Sequence, residues 1–125
     1  MAQKLFWIAV AGGLGSLARY GLAGLVHRVY PGELPLGTAV VNVTGCFLFG
    51  LVWALAEQRL SISGEIRVIL LVGFLGAFTT FSTFTFETGQ LIRDAEWLTA
   101  LGNVLAQLVL GVVCLFIGLR VGRFI

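Results

Sequence analysis

The residues of this chain best suited to chemistry are polar groups set among apolar ones. From Gly73 to Glu87 the sequence combines two glycines, Gly73 and Gly76, with a dense interleaving of hydroxyls and phenylalanines. A hydroxyl has a hydrogen to donate, and an aromatic ring carries a positive edge. Both can face an anion without offering it a full opposite charge. Phe78, Phe81 and Phe84 recur every three residues, a spacing that predicts one shared helix face. A phenylalanine stripe alone is most often packing, but here it alternates with donors beside poor helix material. Glycine followed by consecutive β-branched threonines disfavours a continuous helix, so a break is expected in this stretch. Unpaired backbone at membrane depth is tolerated only where it is buried in protein, meets water or binds an ion.

Three further sites place polar groups where apolar ones prevail, and intramembrane polar groups are functional hypotheses by default. Asn42 lies between Val41 and Val43; its amide can bond a neighbouring helix or give its NH2 hydrogens to an anion. Asn103 and Gln107 are four apart and so fall on one helix face, where they either cross-link helices or line a path. Arg19 has no acidic partner nearby in sequence. It either snorkels to the interface or supplies positive charge to a wet cavity. Cys46 and Cys114 sit inside apolar runs and read as small buried side chains rather than a disulfide or metal site.

The elements that must hold these groups follow from composition. The chain has 125 residues, 58% hydrophobic and 11% charged, with a mean hydropathy of +1.01. A soluble domain carries about 25% charged residues. A membrane-crossing helix needs about 20 apolar residues, so four would take roughly 80 and leave only short loops. This excludes a soluble enzyme, a Rossmann-type cofactor fold and an anchored globular module. The fold expected is an all-α integral membrane protein, one transmembrane domain over residues 1–125 with spans near 4–26, 36–56, 66–92 and 97–121. Pro31, Gly32 and Pro35 punctuate the first loop; Glu57 through Glu65 form the second and Arg93 to Glu96 the third. The apolar start at Leu5 lacks a strong basic leader and small cleavage residues, and it reads as a retained span. Basic residues are scattered, which gives no nucleic-acid footprint.

Charge orients the spans only weakly. The side with the termini and second loop carries Lys4, Arg59, Arg67, Arg120 and Arg123; the other carries Arg28 and Arg93. Glu57 and Glu65 lie among the former, and arginines at span ends snorkel, so the positive-inside bias is slight. Seventeen glycines fall largely within the spans, where small residues let helix backbones approach closely.

At the run Gly73-Phe74-Leu75-Gly76, Thr79-Thr80-Phe81-Ser82-Thr83-Phe84 and Glu87, the sequence resembles the Fluc (CrcB) fluoride channel family. Gly15-Ser16-Leu17-Ala18-Arg19-Tyr20 and Gly37-Thr38-Ala39-Val40-Val41-Asn42 match further family motifs. The resemblance spans three helices, and Gln107 departs from the small hydroxyl residue of many members. It implies an antiparallel, dual-topology homodimer of four-helix subunits with a break in the third helix and two fluoride pores. It also implies that Phe81 and Phe84 contact fluoride by their ring edges and that Asn42, Ser82, Thr83, Thr38 and Gln107 line the path, with Glu87 beside it. Arg19 is implied to serve the vestibule. The backbone carbonyls of Gly76 and Thr79, from both subunits, are implied to hold a structural sodium ion at the dimer centre.

Fluoride is small and strongly hydrated, so a pore must replace its waters with donors; a carbonyl cage suits a hard cation such as sodium. No ATP-binding loop or catalytic cluster is present, so the expectation is passive fluoride export through a bacterial or archaeal cytoplasmic membrane, among lipid, by a non-enzyme. The alternative is a proton-coupled small multidrug exporter. Such exporters place a glutamate in the first helix, whereas here the first span has no acidic residue.

Overall fold

The computed structural model describes residues 1–58 and 62–125; Arg59 and Ser61 of the expected second loop lie outside the described residues. Among the described residues five helices follow in order: α1 (Ala2–Val29), α2 (Leu36–Gln58), α3 (residues 64–78), α4 (Phe81–Arg93) and α5 (Trp97–Phe124). Together they make four segments long and apolar enough to cross a membrane, α3 and α4 forming one interrupted segment over Gly64–Arg93. The described residues contain no strand.

Local chemistry sets the helix ends. Helix α1 stops two residues before Pro31, because proline disfavours helical backbone in the residue before it. The Pro35 carbonyl accepts the Ala39 N–H and opens α2, a position where proline's missing N–H is no loss. The Ser63 hydroxyl caps α3 by accepting the Ile66 N–H at 3.3 Å. Helix α4 ends in a tight reversal: Glu96 N–H bonds Leu91 O at 2.8 Å and Ala95 N–H bonds Ile92 O at 3.1 Å. This is the Schellman pairing, and it puts Ala95 at φ 60.

Glycines set the packing, in two parallel pairs. On α5, Gly118 lies directly against the Phe47 carbonyl of α2, and Gly50 of α2 against the Leu115 carbonyl of α5. A methyl at Gly122 would fall 2.8 Å from the Leu51 carbonyl. In the other pair, Gly15 of α1 faces the Phe74 carbonyl of α3, and a Cβ at Gly73 would sit 3.1 Å from the Ile8 carbonyl. Contacts of this kind bring backbones together where lipid offers no hydrophobic drive. Helix α3 is π-helical over Ile69–Leu75, a form that marks functional or strained positions. The buried cluster Val41, Leu71, Leu75 and Phe78 joins α2 to α3, while large side chains of α1 and α5, Leu17 and Leu98 among them, point outward.

Candidate functional site

The third span breaks at Thr79 and Thr80, whose backbones are extended (ψ 158 at Thr79; φ −148, ψ 113 at Thr80). In an unbroken helix the Thr80 N–H would meet the Gly76 carbonyl. Instead it donates to Asn42 Oδ1 at 2.9 Å, and Asn42 Nδ2 donates back to the Thr80 carbonyl at 3.2 Å. One amide thus satisfies both main-chain groups of Thr80. Gly45, one turn along α2, makes room for it: the Thr79 methyl lies directly over Gly45, where any Cβ would collide.

A single main-chain donor orients the amides beyond. The Thr80 N–H can only donate, so the Asn42 atom facing it is Oδ1, and Nδ2 turns toward α5. There it donates to Gln107 Oε1 at 2.8 Å. Gln107 Nε2 donates to Asn103 Oδ1 at 2.9 Å, Asn103 Nδ2 to Thr88 Oγ1 at 2.9 Å, and Thr88 Oγ1 to the Phe84 carbonyl at 2.8 Å. Every step donates in the same direction from the break into α4, and hydrogen bonds in such chains polarise one another. Both Asn42 Nδ2 hydrogens are engaged, while Gln107 and Asn103 each keep one amide hydrogen outside these bonds.

Beside the break lies an open, largely apolar groove of about 460 Å³. Asn42, Gly76, Thr79, Phe81, Phe84 and Gln107 all border it. The Phe81 and Phe84 rings are 5.7 Å apart and tilted by 48°, and Phe81 is 77% exposed. Toward the α1–α2 loop a second, more polar cleft of about 800 Å³ contains Thr38 and Glu87. Thr38 Oγ1 donates to Glu87 Oε1 at 2.7 Å. Glu87 Oε2 is the buried side-chain oxygen that finds no partner among the described residues.

The structure therefore gathers most of the residues singled out from the sequence and separates a few. Ser82 and Thr83 stand on the first turn of α4, exposed, and bond the Thr80 hydroxyl. Arg19 is half-buried on α1, borders neither cavity, and has no ion-pair partner among the described residues. Phe78 does not share a face with Phe81 and Phe84, contrary to the three-residue spacing. The extended backbone at Thr79 and Thr80 resets the helical phase, and Phe78 is buried against Phe74 with stacked rings 5.9 Å apart. Thr80 itself was not singled out. A threonine one residue before a helix-forming run is a capping signal, and it was masked by the hydroxyls around it.

An all-helical, multi-pass membrane protein, interrupted in its third span at a cluster of amides, hydroxyls and phenylalanines, is the class that fold and site define. Residues 6–119 match the family model described as "CrcB-like protein, Camphor Resistance (CrcB)", and the chain belongs to this family. It is 57% identical over 125 residues, the whole of both chains, to a protein of Nitrosococcus oceani named "Fluoride-specific ion channel FluC". Proteins of the same name from Nitratidesulfovibrio vulgaris (strain DSM 19637 / Miyazaki F) and Solidesulfovibrio magneticus are each 54% identical. They cover 98% and 100% of this chain, and the matches span 99% and 100% of their own lengths.

Proposed function

We propose that this chain is a fluoride-selective channel that exports fluoride passively across a bacterial or archaeal cytoplasmic membrane. The observation that carries the reading is the clamped helix break. It brings the Phe81 and Phe84 rings, the amides of Asn42 and Gln107 and the threonines of the break, Thr79 and Thr80, to one groove in a membrane-spanning bundle. The relatives named as fluoride-specific channels, matched over their full length, point to the same ion. A dehydrated fluoride needs donors along its route. Hydrogens of Gln107 and Thr83 and the positive ring edges of Phe81 and Phe84 offer them in succession without a trapping charge. Asn42 serves this path by holding its wall, and Thr38 with Glu87 marks its polar mouth. Arg19, which borders neither cavity, would add its positive charge to the vestibule only at a distance.

The working unit in this reading is an antiparallel homodimer with two pores, seated in lipid. The groove is open on one side, and exposed apolar side chains surround it; a second copy would close it. The slight charge bias of the loops permits insertion in either orientation. A structural sodium ion fits the same dimer. The last four carbonyls of α3 and its cap, residues 76–79, lack helical N–H partners because the break removes them, and Gly76 is exposed. The carbonyls of Gly76 and Thr79 would hold sodium, a hard cation suited to oxygen ligands. One chain leaves most of the ion's shell open, so the second copy would supply the same pair. The ion's role is to join the subunits at the two breaks.

Replacing Phe81 or Phe84 with Ile tests the assignment. An aromatic edge contact is worth about 0.5–1.5 kcal/mol, so fluoride flux should fall about three- to tenfold while the protein elutes unchanged. Undiminished flux through well-folded Phe81→Ile and Phe84→Ile would remove both rings from the path.

A further inference from the structure

The Thr80 hydroxyl has three neighbours. It accepts the Thr83 N–H at 3.2 Å, donates to Thr83 Oγ1 at 3.0 Å and lies 3.2 Å from Ser82 Oγ. A hydroxyl owns one hydrogen and two lone pairs. Since that hydrogen goes to Thr83, Ser82 must be the donor in the third contact. The Thr80 oxygen is then fully committed and the Ser82 hydrogen is spent. The Thr83 hydroxyl, receiving a hydrogen from Thr80, keeps its own free to donate. Thr80 is buried and Thr83 exposed, so the free hydrogen lies on the accessible side.

Position gives this polarity a use. Thr83, Glu87 and Gln90 fall at i, i+4 and i+7 on one face of α4. Glu87 and Gln90 line the polar cleft, and Thr80 lines the phenylalanine groove. Along α4, Thr83 therefore stands between Thr80 at the groove and Glu87 at the cleft, itself lining neither. The backbone of Thr80 is fixed independently, through Asn42, which keeps its Cβ in place beside Ser82 and Thr83.

We infer that Thr80 is a positioning residue for anion passage: its hydroxyl fixes the donor direction in the Thr80–Ser82–Thr83 cluster so that Thr83, rather than Ser82, presents the hydrogen an anion meets between cleft and groove. The inference rests on the fluoride-channel reading.

The test is fluoride efflux from liposomes holding the full-length chain, compared for wild type, Thr80→Val, Thr80→Ser, Thr83→Val, Ser82→Ala and the Thr80→Val/Thr83→Val double variant. Valine keeps the shape and the Asn42 clamp while removing the hydroxyl. A hydrogen bond to a charged group supports an expected loss of about tenfold for Thr83→Val and for Thr80→Val. Thr80→Ser should restore flux to within about twofold of wild type. Ser82→Ala should stay within the same range, and the double variant should be no worse than Thr83→Val alone, because both substitutions remove one donor. A helix cap with no part in conduction predicts the opposite pattern: lower thermal stability of Thr80→Val, undiminished flux per folded protein, and full activity in Thr83→Val. That pattern, or a Ser82→Ala loss as large as that of Thr83→Val, overturns the inference. If Thr80→Val fails to fold, the contrast between Thr83→Val and Ser82→Ala decides alone. A wild-type protein that passes no fluoride refutes the channel reading itself, whereas conducting wild type with unaffected variants refutes only the role of Thr80.

Discussion

At the scale of single residues, Asn42 joins three helices. Its carbonyl oxygen meets the Thr80 N–H, and its two N–H hydrogens meet the Thr80 carbonyl and the Gln107 amide. Asn42→Asp is nearly the same size but replaces both hydrogens with an acceptor. The Thr80 carbonyl and Gln107 Oε1 would then face a carboxylate, each loss costing about 1–3 kcal/mol. Thermal unfolding in detergent should show a lowered midpoint, and fluoride flux should drop at least about tenfold. Retention of both would mean the clamp is dispensable. An embedded asparagine between two valines is conspicuous in the sequence, and its importance was legible there. Its partners were not, because the bond to Thr80 joins residues 38 apart and the bond to Gln107 residues 65 apart. Only the folded arrangement shows that this amide braces backbone rather than offering a free hydrogen.

At the scale of elements, the interrupted third span is the decisive feature, and its cause is readable residue by residue. Thr79 and Thr80 are extended, Thr80 caps the new helix by accepting the Thr83 N–H, and Gly45 of α2 leaves room for the Thr79 methyl. Glycines and consecutive threonines predicted a break, but not its position between Phe78 and Phe81. That position depends on the Asn42 clamp, so the phenylalanine periodicity was carried across a point where the helix is not continuous. The glycines of α2 and α5 announced close packing without naming partners; Gly50 with Leu115 and Gly118 with Phe47 become pairs only in the parallel arrangement. The turn after α4 offers a test of element-level energetics. Ala95 adopts φ 60 at the position where glycine is preferred. Left-handed backbone costs an L-residue about 1–2 kcal/mol, partly offset by glycine's greater freedom when unfolded. Ala95→Gly should therefore stabilise the protein by about 0.5–1 kcal/mol in thermal unfolding, with fluoride flux unchanged. A destabilised variant would contradict the Schellman assignment.

At the scale of the whole molecule, the single chain has the surface of something incomplete in water. Large apolar side chains cover α1 and α5, and the groove beside Phe81 opens sideways. Lipid accounts for part of that surface and, in the proposed dimer, a second copy for the rest. If sodium joins two copies at the carbonyls of Gly76 and Thr79, its removal withdraws a ligand that binds only the assembled state, and stability must fall. Exchange of sodium for a bulky organic cation should lower the midpoint of dimer dissociation and reduce flux, with recovery when sodium returns. Indifference to sodium would empty that site. Composition and length together pointed to a four-span membrane protein, because 11% charge cannot solubilise a domain of this hydropathy and about 20 residues per span leave room for four. Which ion the spans conduct is the central claim. Fluoride efflux from liposomes containing the purified protein, followed with a fluoride electrode beside a chloride control, tests it most directly. The account predicts rapid fluoride release with no matching chloride release. Retention of fluoride by vesicles holding correctly folded protein, or equal passage of chloride, would contradict it.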